Sequence, residues 1–196
     1  NKIVIVNGKV QQFNFEYEES DKINITILDT LNQNLNQDNS LLSLNNSFSN
    51  KIHNILVKKN YSLKKPLIIY QITNEKVSNT NINFQLNFNL EESSSIKIIN
   101  FSDDNSEKNF INNLFNFNLD KNAILKNYKI DKKNNTNIKY DYSSIIQKEN
   151  SISETFIFSS GSDYVKNEVN CNLEGKYSSA FINGIHLLSK NKHHEI

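Results

Sequence analysis

The chain has 196 residues and a formal net charge of +1, from 22 basic and 21 acidic side chains, which leaves room for one ordinary domain with a sizeable core. That balance argues against a dedicated nucleic-acid or membrane-surface binder, which would carry a basic excess, and no apolar run approaches the ~18 residues that span a bilayer. A single cysteine, Cys171, excludes an internal disulfide framework and suits a reducing compartment.

There is no Met and no Arg, and Asn occurs 37 times. We read the chain as a piece of a longer protein from a very AT-rich genome. The N-terminus shows no charged-then-apolar signal pattern. Asn-rich chains are often disordered, but the apolar residues here keep strand periodicity, which predicts an ordered domain.

Residues 2–10, KIVIVNGKV, predict a strand ending in the Asn7-Gly8 turn. Residues 23–28, INITIL, predict a second strand or a strand running into a helix. Residues 30–50 are polar, with Leu31, Leu35, Leu41, Leu42, Leu44 and Phe48 at mixed spacing, and predict one or two short helices. We take 1–51 as an α/β lead-in and 52–196 as the core.

From Ile52 a unit recurs: an apolar residue, several polar ones, then an apolar residue six positions on. The pairs are Val57 and Leu63, Leu90 and Ile96, Leu119 and Leu125, Ile146 and Ile152, with a fifth unit from Leu173 to Ser179. Unit starts are spaced by 33, 29, 27 and 27 residues. Such a period implies stacked coils, each burying its inward side chains on the next. With two strands per unit and almost no helix signal, the fold class is mainly all-β, a parallel β-helix, preferred over a β-sandwich. Asn side chains at the turns should stack in hydrogen-bonded ladders. Pro66, the only proline, belongs at a strand start or coil corner. Residues 102–109 and 131–137 read as polar loops. The tail, 156–196, reads as three strands and two turns, with Val165, Val169, Cys171 and Leu173 on one face and Phe181, Ile185 and Leu187 on another.

Chemistry-bearing residues are few. Cys171 lies between Val169 and Leu173 on one face, so it reads as a small buried hydrophobe; a cluster needs about four ligands, and one thiolate cannot hold it. His193 and Glu195 share a side of an extended segment and could supply two metal ligands, but two at a strand end do not close a site; His194 points the other way. His53 and His186 read as packed or half-exposed. Glu18-Glu19, Glu91-Glu92 and Asp103-Asp104 read as solvated turns, because adjacent strand residues point apart. Gly8, Gly161, Gly175 and Gly184 stand alone, which excludes a phosphate-cradling ATPase loop by motif. No residue is assigned as catalytic, cofactor-binding or metal-ligating, and no enzymatic activity is expected.

A set of short motifs in order carries a resemblance: Val6-Asn7-Gly8, Leu44-Asn45-Asn46-Ser47-Phe48, Lys64-Lys65-Pro66, Gly161, Lys166-Asn167, Asn172-Leu173-Glu174-Gly175, Asn183-Gly184-Ile185-His186-Leu187-Leu188 and His193-x-Glu195. The chain resembles the SufB/SufD family of the SUF iron–sulfur assembly scaffold, and its SufD branch in particular. Lys166, Ile185-His186 and Glu195 stand where that branch tends to carry Arg, Leu-Tyr and Asp. The resemblance implies a right-handed parallel β-helix. It implies pairing with a SufB-like subunit and a SufC-like ABC-type ATPase, with no nucleic acid and no membrane. It also implies an iron–sulfur cluster forming at the SufB–SufD boundary, reduced flavin in some complexes, and cluster ligands C-terminal to this stretch. Its location would be the cytoplasm, or a plastid-type organelle in a eukaryote. The alternatives are a SufB-type subunit, which would be richer in Cys, a carbohydrate-active or adhesive β-helix displaying aligned acids, and a purely structural Asn-rich solenoid. Because the pattern stops mid-unit at Ile196, we also expect an uncapped coil that self-associates.

Overall fold

A computed structural model describes residues 1–29, 39–49, 51–131, 135–189 and 191–196. Its elements are β1 (Lys2–Val6), β2 (Lys9–Asn14), β3 (Ile23–Asp29), α1 (Ser40–Phe48), β4 (Lys51–Val57), β5 (Leu67–Thr73), β6 (Asn81–Leu90) and β7 (Ser95–Asp104). They continue with β8 (Phe110–Leu119), β9 (Ile124–Asp131), β10 (Ile138–Gln147), β11 (Ile152–Ser159), β12 (Tyr164–Leu173), β13 (Ser179–His186) and β14 (His193–Glu195).

Two seven-stranded sheets run β13-β11-β9-β7-β5-β1-β2 and β14-β12-β10-β8-β6-β4-β3. From β4 onward consecutive strands alternate between the sheets and pair in parallel with the strand one coil away. This is the parallel β-solenoid expected, of about five turns. At its N-terminal end β1 adds to β5 in parallel, while the β1–β2 hairpin and β3, antiparallel to β4, extend both sheets. The hairpin turn uses Asn7 and Gly8 at φ 50° and 76°, as a tight two-residue turn requires. Residues 23–28 are thus strand. One helix, α1, realises the helical expectation; Leu31 and Leu35 lie outside the described residues. Asn39 caps α1, accepting from the Leu41 and Leu42 amides at 3.0 and 3.2 Å. Pro66 immediately precedes β5.

The sequence period is the coil itself. Val57 pairs with Leu90 and Leu90 with Leu119. The fourth unit, however, begins at Gln147, the shared neighbour of Leu119 and Leu173, one residue beyond Ile146. Its second mark is likewise Ser153, paired with Leu125 and Ala180, instead of Ile152. Gln147 is buried because its amide donates to the Ser151 and Ser179 carbonyls at 3.1 and 3.0 Å and accepts from Ser153 at 2.8 Å.

At one corner of every coil the chain turns through a left-handed residue: Asn60, Ser93, Asn122, Asn150 and Tyr177, with φ between 55° and 60°. Asn tolerates this conformation best among residues with a side chain, so part of the Asn excess is geometric. Each of the first four donates its amide to the next coil's corner at 2.9 Å. Beside them lysines and glutamates alternate up the stack, as Lys58–Glu91 (3.5 Å), Lys59–Glu92 (2.6 Å), Lys121–Glu149 (3.0 Å) and Lys148–Glu174. At the opposite corner Asn109 caps the Thr80 amide and Asn137 the Asn109 amide, each at 3.0 Å. Asn ladders also run along strands, where they were not expected: Asn54–Asn87–Asn116 and Asn89–Asn118, every step 2.8 Å.

The interior is divided lengthwise. Next to the charged corner it is apolar, with Val57, Leu90, Leu119, Leu67, Ile98 and Leu125 buried, Phe88 stacked on Phe117 at 5.2 Å and Phe84 edge-on to Phe115 at 5.8 Å. Each such ring contributes roughly 2 kcal/mol by burial. Towards the opposite corner the inward positions turn polar.

The last coil is open. β13 pairs only with β11, and β14 covers only Tyr164–Lys166 of β12. The tail faces expected from alternation are realised for Val165, Val169 and Cys171. Leu173 is 50% exposed. Phe181 and Ile185 face outward, 54% and 49% exposed, because their coil neighbours are the outward Glu154 and Phe158. The inward residues of β13 are Ala180, Ile182, Gly184 and His186.

Candidate functional site in the solenoid interior and at its open coil

Strand alternation carries charge into the polar half of the interior. In β9 the inward positions are Leu125, Asn127, Lys129 and Asp131; in β10 they include Lys139, Asp141 and Ser143. Asp104, at the end of β7, lies between them. Lys139 is 1% exposed and its Nζ stands 2.7 Å from Asp104 and 3.3 Å from Asp131. Burial alone would push its ammonium down, but the carboxylates of Asp104, Asp131 and Asp141 outweigh it and hold Lys139 well above the ordinary lysine value. Burial pushes the Asp131 carboxyl up, against the pull of Lys139. Asp104 was read from sequence as part of a solvated turn within the polar loop 102–109. That reading is corrected: β7 continues through Asp104, and its side chain is 3% exposed.

A hydrogen-bonded chain crosses from one sheet to the other through the same space. Gln71 donates to Asn100 at 3.0 Å, and Asn113 donates to Gln71 at 2.9 Å and to Asp141 at 2.6 Å. Lys129 has no hydrogen-bond partner for its Nζ, which sits 5.2 Å above the Phe115 ring. Burial pushes its ammonium below the ordinary lysine range, Lys139 adding repulsion and Asp141 opposing. A cavity of about 10 Å³, bordered by Lys129, Asp131, Asp141 and Asn167, has room for about one water. The cluster is closed to solvent, and its ion pairs and hydrogen bonds run between strands of both sheets and hold them in register. Sequence reasoning missed it, because a search for apolar alternation passes over Lys129, Asp131, Lys139 and Asp141.

The open coil gathers the remaining candidates. Cys171 is half-buried against the main core, and burial pushes its thiol up, so it remains protonated and weakly nucleophilic at neutral pH. His193 and Glu195 form a 2.7 Å contact, which Tyr164 completes by donating to Glu195 at 3.1 Å. His193 and Tyr164 pull the Glu195 carboxyl down. His194 faces the opposite way, at 3.0 Å from Ser159 Oγ and 2.8 Å from the Ser162 carbonyl. Its ring meets His186 edge-on at 5.6 Å. Burial and His194 both push His186 down.

Among the described residues no group of three or more His, Cys, Asp or Glu side chains converges as a metal site, and no helix is long and apolar enough to cross a membrane. Glu91 and Glu92 belong to the charged corner, each beside a lysine. Glu18 accepts from Asn1, Tyr61 and the Lys64 amide at 2.7, 2.7 and 3.0 Å, locking the hairpin onto the first coil; Glu19 pairs with Lys64. Aligned acids of a carbohydrate-binding groove are not displayed by these groups.

The family model described as SUF system FeS cluster assembly, SufBD core domain, matches residues 70–196, more than half of the chain. None of the curated proteins compared with the chain matches it.

Proposed function

The chain belongs to the SufB/SufD core-domain family of the SUF iron–sulfur assembly system, and from that premise we propose that it is the SufD-type scaffold subunit, itself without catalytic activity. It pairs with a SufB-like subunit and works beside a SufC-like ABC-type ATPase. The iron–sulfur cluster is the cargo of the assembly, and reduced flavin accompanies some complexes of this kind; no side chain of this chain is assigned to either. The reading places the protein in the cytoplasm or, in a eukaryote, a plastid-type organelle.

The observation that carries the SufD-type reading is the run from Asn172-Leu173-Glu174-Gly175 to Asn183-Gly184, which is more similar to the SufD branch than to the SufB branch. Cys171 is half-buried and pushed towards its protonated form, and no ligand role is assigned to it. The pairing with a SufB-like subunit and an ATPase rests on the match to the SufBD core domain.

The test is affinity purification of the tagged full-length parent from its own cells, followed by mass spectrometry. Co-purification of an ABC-type ATPase and a second β-solenoid subunit richer in cysteine supports the reading. Recovery of the protein alone, with the ATPase present in the lysate, rejects it. Cluster loss on Cys171→Ser would favour a SufB-type role.

A further inference from the structure

At the end of the solenoid remote from the open coil, a cleft of about 600 Å³ opens between the β1–β2 hairpin, the C-terminal end of α1 and the starts of β4 and β6. This is within the roughly 300–1,000 Å³ typical of small-molecule sites. The wall is apolar at Val10, Ile27, Phe48 and Ile82, and two of these side chains, Ile27 and Phe48, are more than half exposed. Two cations, Lys9 and Lys51, stand at the cleft, and among the described residues no Asp or Glu lines it, Asp29 standing opposite Lys51 in the β3–β4 register but outside the lining. The lysines of the charged corner are matched with glutamates; Lys9 and Lys51 have no ion-pair partner among the described residues. His53, more than nine-tenths buried, forms part of the wall, and its Nδ1 lacks a hydrogen-bond partner, as does Asn83 Oδ1.

A concave site with an apolar wall and two ammonium groups that form no ion pair among the described residues selects by chemistry. A cation is repelled. A neutral apolar molecule leaves the ammonium groups without a partner. A purely inorganic anion leaves Ile27 and Phe48 in water. We propose that this cleft binds a small organic anion, its apolar body against Ile27, Phe48 and Ile82 and its carboxylate, phosphate or sulfonate towards Lys9 and Lys51. His53 serves as an internal reporter: burial, with the charge of Lys51, pushes it down in the free protein, and a bound anion raises it again.

The probe is 1-anilinonaphthalene-8-sulfonate, with neutral N-phenyl-1-naphthylamine as the same ring body without the charge. Binding is followed by calorimetry and by the His53 ring resonances in NMR, with circular dichroism confirming that each variant is folded. The expected result is one saturable site for the sulfonate, with the His53 resonances shifted. In Lys9→Glu/Lys51→Glu the affinity for the sulfonate falls about tenfold or more, while that for the neutral amine is unchanged. Ile27→Trp, at an exposed position of the wall, blocks both. Unmoved His53 resonances at saturation, sulfonate affinity indifferent to charge reversal, or dye confined to the residues of β13 would each overturn the proposal.

Discussion

Replacing Lys139 by Met keeps the side chain's length and removes its charge. The structure assigns a large cost to that change. Asp104 and Asp131 lose the ammonium that stands 2.7 and 3.3 Å away, and both carboxylates lie in the solenoid interior. Leaving buried charge uncompensated costs about 3–5 kcal/mol; at roughly 2–4 °C per kcal/mol for a chain of this length, Tm falls by about 10 °C. The loss depends on pH. The raised Asp131 carboxyl binds its proton more tightly in the folded than in the unfolded chain, so its contribution is fully present below the ordinary carboxylate value and is lost as pH rises through the raised one. Without Lys139 that value rises further, so acid relieves the variant more than the wild type. The gap between them therefore narrows from pH 7.5 to pH 4.5. Urea unfolding at both pH values, followed by circular dichroism, measures it. A variant within 1 kcal/mol (~1) of wild type at pH 7.5, with no pH dependence of the difference, would refute the reasoning. Removing all the partners together, as Lys139→Met/Asp104→Leu/Asp131→Leu, recovers most of the loss.

Lys129→Met has the opposite sign. The wild-type ammonium is pushed down by burial, so its contribution is present above the ordinary lysine value and is lost as pH falls below it; the variant is more stable by about 1 kcal/mol or more at pH 7.5, with a gap that closes above about pH 10 in denaturant titrations. Gly175→Ala destabilises by about 1–3 kcal/mol, because an added Cβ would run into the backbone of Lys148 and Glu149 on the neighbouring coil; hydrogen exchange should show the loss concentrated at the corner between β12 and β13. Asn45→Ala frees α1 from sheet contacts, since Asn45 donates to the Asn112 and Phe84 carbonyls at 2.6 and 3.2 Å and accepts from Ser49 at 2.9 Å. A cost of about 1–3 kcal/mol in thermal unfolding is expected, and proteolysis should cut near α1 first.

Most of the solenoid was legible because Val57, Leu90 and Leu119 repeat one buried position at coil intervals. The reading slipped at Gln147 because the repeat was sought as an apolar residue, while the position requires burial and, in that coil, two carbonyls to satisfy. Phe181 and Ile185 misled for a related reason: alternation identifies two faces, and only the neighbouring coil decides which is inside. The ionic interior was illegible to periodicity for the same cause. Lys139 and Asp104 are far apart in the chain and meet only when β10 faces β7 across the interior. Asn ladders were expected at turns and occur there through Asn109 and Asn137, but coil stacking also aligns Asn54, Asn87 and Asn116 on a strand face, a consequence of register that composition does not reveal.

The central claim is that this solenoid is the core of a SUF scaffold subunit that works bound to partner proteins. Hydrogen exchange on the full-length protein, free and within the purified assembly, tests it directly. A contiguous set of amides on the solenoid surface is expected to become strongly protected in the assembly, while the buried strands β4 to β7 are unchanged. Equal exchange along the whole solenoid in the two states would contradict it.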